Sequence, residues 1–170
     1  MYYLDTVLGR LYVEMSASTI YGIYWSDQKN FTAPKRALSL LAQKGGPGQL
    51  AHWLSAYFSG VQPSPADLVR SGLSLSPFGT EKQKACWELL LSIPYGKLLT
   101  YAELATYFQN AYGERTSPRA MGQLIGANPI VIVIPCHRVI ASDGKLNGYS
   151  GGASRKAYLL RLEGSLIVHG

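Results

Sequence analysis

Cysteine is scarce in this chain: Cys86 and Cys136 are the only two in 170 residues. Two thiols do not make the dense disulfide framework of a small secreted domain. They could pair, but in a reducing compartment they stand as independent thiols. Histidine is equally sparse. His52, His137 and His169 are scattered, so no Cys/His cluster has the spacing of a zinc site and no metal is expected. Charged residues make up only 15% of the chain and form no block, and there is no internal repeat or low-complexity tract, which excludes a disordered tail or a solenoid. The longest purely aliphatic run, Ile130–Ile134, is far too short to span a bilayer. Met1-Tyr2-Tyr3-Leu4-Asp5 lacks the basic-then-apolar pattern of a signal peptide. The expectation is a cytoplasmic protein with no membrane partner.

What is present is a foldable core. Apolar residues make up 47% of the chain, enough for one ordinary domain or two small ones sharing a core. The net charge of +6 and a pI near 9.3 favour a polyanionic partner, although basic proteins also use charge for solubility. Lys97, Arg115, Arg119, Arg138, Lys145, Arg155 and Lys156 spread this charge through the second half, where a binding face is to be sought.

Short segments rich in Tyr, Val and Ile predict three strands of a small antiparallel sheet, at Tyr2–Leu8, Leu11–Met15 and Thr19–Trp25. Helical spacing follows at Pro34–Gln43 and Gln49–Phe58, with Gly45-Gly46-Pro47-Gly48 read as a break between them. Ser59–Pro65 is turn-rich and Ser71–Pro77 reads as a connector, placing a boundary between a domain at 1–76 and another at 77–170. From Thr80 the chain turns helical with explicit start signals. Thr80-Glu81-Lys82-Gln83 and Thr100-Tyr101-Ala102-Glu103 fit capping boxes, the second opening a helix through about Phe108. Ser117-Pro118 suits an N-cap and N1 pair before a helix from Arg119 to about Ala127. These two helices fit a helix-turn-helix or an ordinary helical hairpin. Ile130–Ile134 predicts a buried, strand-like segment that delivers Pro135-Cys136-His137-Arg138 to the floor of a pocket. A last helix, Ala153–Glu163, stops at Gly164.

Cys136 and His137 are the candidate reactive pair, because a thiol becomes a strong nucleophile as thiolate and an imidazole nearby promotes that form. In isolation the dipeptide also fits a buried core thiol beside a surface histidine, and a Cys-His-Glu set also fits a cysteine hydrolase. Cys86, beside Trp87 on an amphipathic helix, reads as core.

Ile134-Pro135-Cys136-His137-Arg138-Val139-Ile140 resembles the active-site signature of the O6-alkylguanine-DNA alkyltransferases. Further segments are similar to that family: Ile93-Pro94-Tyr95-Gly96-Lys97 with Thr100-Tyr101, Arg119-Ala120-Met121-Gly122 with Asn128-Pro129, Gly148-Tyr149-Ser150-Gly151-Gly152, and Leu159–Gly164. The likeness is strong over about residues 77–166; before that the best echo is Leu54–Gly60.

The resemblance implies an α/β (α+β) fold. A small ribonuclease-H-like N-terminal antiparallel sheet with helices would precede a mainly helical C-terminal domain containing a helix-turn-helix. It implies irreversible, cofactor-free transfer of an alkyl group from O6-alkylguanine, and secondarily O4-methylthymine, in double-stranded DNA to Cys136, by a monomer. In that scheme Glu163 orients His137, whose other nitrogen acts through a water on Cys136, held anionic. Tyr101 assists the departing base and Asn128 ties the hinge. Arg119 enters the stack vacated by the flipped base, with Ala120 allowing close approach. Backbone groups around Val139 and Ser150 read the guanine edge, Tyr149 lines the pocket, and Arg138 belongs to the DNA-facing set. The sequence departs from the family at Lys82 and Cys86, where an aromatic and an aliphatic residue are usual, at Asn147, and in a longer stretch between Tyr101 and Arg119.

Overall fold

The structure is a computed structural model that describes residues 1–29 and 31–166; His169 lies outside them. The chain divides into two compact units, residues 1–78 with 129–131, and residues 79–128 with 132–170.

In the first unit, β1 (Tyr2–Thr6), β2 (Gly9–Met15) and β3 (Thr19–Trp25) form an antiparallel meander. Alternation turns Leu4, Leu11, Val13, Ile23 and Trp25 into the core. Two short edge strands, β4 (Leu38–Ser39) beside β1 and β5 (Ser74–Leu75) beside β3, pair in parallel. The expected antiparallel sheet is therefore the centre of a mixed one, in the order β4-β1-β2-β3-β5. The helix expected over Pro34–Gln43 does not form. Its residues supply β4 and a single 3-10 turn at Leu40–Ala42, because pairing with the open edge at Tyr2 and Tyr3 outweighs a weak helical pattern.

The expected glycine break is equally overturned: Gly45-Gly46-Pro47-Gly48 forms the first turn of α1 (Gly45–Phe58). Proline is tolerated in a first turn, where its missing N–H costs nothing. At Gly46 a Cβ would stand 1.8 Å from the Ala17 carbonyl oxygen, so close backbone approach explains that glycine. The turn-rich reading missed α2 (Pro65–Arg70), which begins with a capping box between Ser64 and Asp67. The chain returns to this unit at Pro129–Val131. There Ile23 donates to the Pro129 carbonyl at 2.8 Å and Val131 donates to the Ile23 carbonyl at 3.1 Å.

The second unit follows its start signals. Thr80 and Gln83 cap α3 (Glu81–Leu91) reciprocally, and Thr100 and Glu103 do the same for α4 (Tyr101–Tyr112). α4 runs four residues beyond Phe108 and ends where Gly113 takes a left-handed φ of 70°. That extension accommodates the longer stretch before Arg119. Ser117 caps α5 (Pro118–Gly126), as expected. Cys86 is fully buried, and Trp87 Nε1 donates to the Leu124 carbonyl at 2.9 Å, joining α3 to α5. Lys82, where the family has an aromatic, pairs with Glu114 and lies 5.9 Å from the Phe108 ring. β6 (Leu99–Thr100) pairs in parallel with β7 (Val139–Ile140), and α6 (Ala153–Leu162) closes the described chain. No helix among the described residues is long and apolar enough to cross a membrane.

Ile130–Ile134 is buried throughout, as its composition requires, but it is not a strand. Only Ile130 makes a β-bridge; the following residues turn, with Ile132 at a φ of 73°. A β-branched residue in that region carries strain of about 1–3 kcal/mol, so the surroundings must enforce it.

Candidate active site

The strained turn leads directly into a single 3-10 turn, Cys136–Arg138, and Cys136 is only 3% exposed. Asn128 fixes both ends of this arrangement. Its Nδ2 donates to the Ile134 carbonyl at 2.9 Å and to Cys136 Sγ at 3.1 Å. Burial pushes the thiol up to about 11; the Asn128 hydrogen bond, the Lys156 charge and the backbone amides of Cys136 and His137 pull it back only in part. The expectation of a sulfur held anionic at rest is corrected here: at neutral pH Cys136 is a thiol, because desolvation disfavours its charge more than its partners favour it.

His137 is fully buried, and its Nε2 lies 2.8 Å from Glu163 Oε1. Burial disfavours the charged carboxylate of Glu163, but the hydrogen bonds from His137 and Arg138 more than offset it and hold the carboxyl well below the usual range. An ionised carboxylate only accepts, so Nε2 carries the hydrogen and Nδ1 is the basic nitrogen. Burial also lowers the His137 pKa, with Arg138 and Lys156 acting in the same direction against Glu163. The resting imidazole is neutral, as a general base must be.

Arg138 does not face DNA. It is 4% exposed and spends its guanidinium inside the unit: Nε donates to Glu163 Oε2 at 2.8 Å, Nη2 to Glu163 Oε1 at 2.9 Å and Nη1 to the Ile93 carbonyl at 2.6 Å. Its place in the expected DNA-facing set is thereby corrected. The Pro94-Tyr95-Gly96 turn completes the node. The Gly96 amide donates to Glu163 Oε2 at 3.2 Å, and the Tyr95 hydroxyl donates to the Leu162 carbonyl at 3.0 Å.

Tyr101, at the start of α4, is half-buried and donates through its hydroxyl to the Asn147 carbonyl at 3.2 Å. Burial raises its pKa, and Cys136 is near enough for its charge to add to the effect. With Pro118, Arg119, Gly122, Asn147 and Gly148, Tyr101 lines a groove of about 530 Å³. Arg119 is exposed near the N-terminus of α5; Ala120 is half-buried, with its amide on Ser117 Oγ at 3.1 Å. Val139 is fully buried, and the Tyr149 ring lies edge-on to His137 at 6.4 Å. Ser150 is half-buried, with its Oγ out of solvent.

From the sequence Lys156 is one of the spread basic residues and nothing more. It is fully buried, and its Nζ donates to the Val139 carbonyl at 2.5 Å and to the Asn147 carbonyl at 3.4 Å, 5.7 Å from the Tyr101 ring. Burial brings its pKa down to about 8, with the Cys136 charge opposing. Helical spacing carried the signal: Lys156 shares the buried face of Leu159, Leu160 and Glu163. The assembled groups can support nucleophilic displacement by sulfur, with a neutral base held in one tautomer.

A family model described as "6-O-methylguanine DNA methyltransferase, DNA binding domain" matches residues 81–165. A methylated-DNA--protein-cysteine methyltransferase of Methanosarcina barkeri is 46% identical over 115 residues, 68% of this chain and 66% of that protein, so the match spans just under two thirds of that relative's length. The protein of that name from Mycobacterium leprae is 35% identical over 160 residues, 94% of this chain and 89% of its own. The crystal structure of Mycobacterium tuberculosis OGT in complex with DNA superposes with a TM-score of 0.77 at 33% identity, covering 96% of this chain and 91% of that one.

Proposed function

The chain belongs to the 6-O-methylguanine DNA methyltransferase family, and from that premise we propose that it repairs DNA by moving an alkyl group from the guanine O6 oxygen onto its own Cys136. The observation that carries this reading is the buried Cys136 thiol, held by Asn128 at 3.1 Å beside a His137–Glu163 pair at 2.8 Å.

Through a bound water, His137 takes the thiol proton as sulfur forms its bond to the alkyl carbon. The carbon–O6 bond breaks and its electron pair leaves with guanine, which Tyr101 meets with a proton or hydrogen bond. The product is a thioether. It has no acyl carbon for water to attack, so the cysteine is not regenerated and each molecule acts once.

A lesion inside a duplex cannot reach a thiol this deep, so the base must rotate out, at a cost of about a few kcal/mol. The groove between Tyr101, Arg119 and Gly148 suits a flipped nucleotide, and the exposed Arg119 suits the gap it leaves. Backbone groups around Val139 and Ser150 would read the guanine edge beside the Tyr149 ring, and the small Ala120 would let α5 approach the minor groove. The partner is double-stranded DNA carrying alkylated guanine, met by a monomer in the cytoplasm or nucleoid, and lysine and arginine contacts to phosphate supply salt-dependent affinity.

The test is intact-mass measurement after mixing the protein with an oligonucleotide containing O6-methylguanine. The expected result is a gain of one methyl in place of one hydrogen, lost in Cys136→Ala. An unchanged mass with the lesion still in the DNA rejects the reading.

A further inference from the structure

A carboxylate that orients a histidine ordinarily also stabilises the imidazolium that forms beside it. Here that carboxylate is shared. Both Glu163 oxygens accept from the fork of Arg138, at 2.8 and 2.9 Å, while one of them also meets His137 Nε2 at 2.8 Å. The forked geometry is the strong, directional form of a guanidinium–carboxylate contact. The third arm of Arg138, on the Ile93 carbonyl at 2.6 Å, anchors the fork to the backbone just before the Pro94-Tyr95-Gly96 turn. The guanidinium is nearly sealed from solvent, so its charge acts on Glu163 and His137 with little screening.

We propose that Arg138 is a positioning residue for alkyl transfer: it fixes Glu163 as a charge-neutralised acceptor, so that His137 is locked with its proton on Nε2 and stays a neutral base. This inference rests on the alkyl-transfer reading above and deepens it. Without the fork, Glu163 would hold a full negative charge against the imidazole and draw a second proton onto it, disabling the base near neutral pH. The other groups near His137 are Lys156 from α6, Cys136 beside it in the chain and the Tyr149 ring; Tyr95 lies against Arg138, and Tyr101 is near Cys136. Lys156 adds to the effect of Arg138, and burial raises the Tyr95, Tyr101 and Cys136 groups, so they carry no charge at rest.

The experiment compares wild type, Arg138→Gln and Arg138→Lys by two readouts: imidazole titration followed by nitrogen NMR, and the rate of transfer from an O6-methylguanine oligonucleotide against pH. Arg138→Gln keeps a donor for Glu163 but removes the charge. It should raise the His137 titration by about one pH unit or more and move the acid limb of the rate profile with it. Arg138→Lys, which restores the charge, should bring both back toward wild type. A folded Arg138→Gln protein with an unmoved titration and acid limb overturns the proposal and leaves Arg138 structural.

Should the glutamine variant not fold, wild type alone decides. A neutral imidazole at pH 7 with its proton on Nε2 supports the proposal, and an imidazolium or the other tautomer overturns it. Absence of transfer by wild type would instead defeat the alkyl-transfer reading, whatever the imidazole does.

Discussion

Asn128 Nδ2 lies 3.1 Å from Cys136 Sγ and 2.9 Å from the Ile134 carbonyl, so a single side-chain amide holds both the nucleophile and the turn that presents it. That turn contains Ile132 in a left-handed conformation unfavourable for a β-branched residue. Asn128 thus links two functions, stabilising a strained backbone and supplying a hydrogen bond that favours the reactive form of the sulfur. Replacing it with alanine should cost about 1–3 kcal/mol, the penalty for an unsatisfied buried carbonyl, and should slow transfer as well. Urea denaturation and single-turnover kinetics check the two effects separately. A variant of unchanged stability would show that Asn128 is not what holds the turn.

Glu163→Gln should be more damaging than its small change in shape implies. It leaves the buried Arg138 guanidinium without its counter-charge, and breaking a buried ion pair costs about 3–5 kcal/mol. The measurement is the shift in urea midpoint at neutral pH.

Stability should fall as the solution is acidified. The folded His137 pKa lies below its ordinary 6.5, so under pH 6.5 the unfolded chain binds a proton that the folded chain refuses. The contribution is fully present above 6.5 and declines as pH drops toward the folded value. Glu163 acts in the same direction at lower pH: its contribution is present above its ordinary 4.5 and is lost as pH falls through the depressed folded value. Denaturation midpoints measured from pH 7 down to pH 4 should decrease steadily. A flat profile through pH 6 would contradict the burial of a neutral histidine.

Arg119→Ala should separate binding from folding. Arg119 is exposed, so stability should stay within about 0.5 kcal/mol of wild type. Transfer from duplex DNA should slow far more than transfer from a single strand, where no stack has to be opened. If Arg119 also contacts phosphate, the salt dependence of binding should weaken by about one unit of slope. Equal slowing on both substrates would remove the proposed role in base flipping.

Thr80→Ala and Thr100→Ala should each cost about 1 kcal/mol through loss of an N-cap. The Thr100 variant should also slow transfer, because α4 begins with Tyr101. Thermal denaturation gives the first effect and kinetics the second.

Those caps are where local sequence was most informative. Thr80 with Gln83, Thr100 with Glu103, and Ser117 with Pro118 each specify a helix start through side chains one or three residues apart, and all three stand where expected. The strands Tyr2–Thr6 and Thr19–Trp25 were legible from their local richness in tyrosine and β-branched residues. Leu38–Ser39 was not: its conformation is set by an open strand edge more than thirty residues away in sequence, at Tyr2 and Tyr3. The glycines opening α1 were misread because what they avoid, the Ala17 carbonyl, belongs to another part of the chain.

By itself, the sequence determined the short-range matters: helix starts, the places of the three central strands, the burial of Ile130–Ile134, and a cysteine and histidine adjacent in the chain. Tertiary structure alone decided that Arg138 turns inward to Glu163, that Lys156 is buried against the Val139 carbonyl, and that Cys136 rests as a thiol. Capping and strand composition depend on neighbours a few residues apart. Protonation and the direction of a long cationic side chain depend on desolvation and on partners that only the folded chain brings within 3 Å.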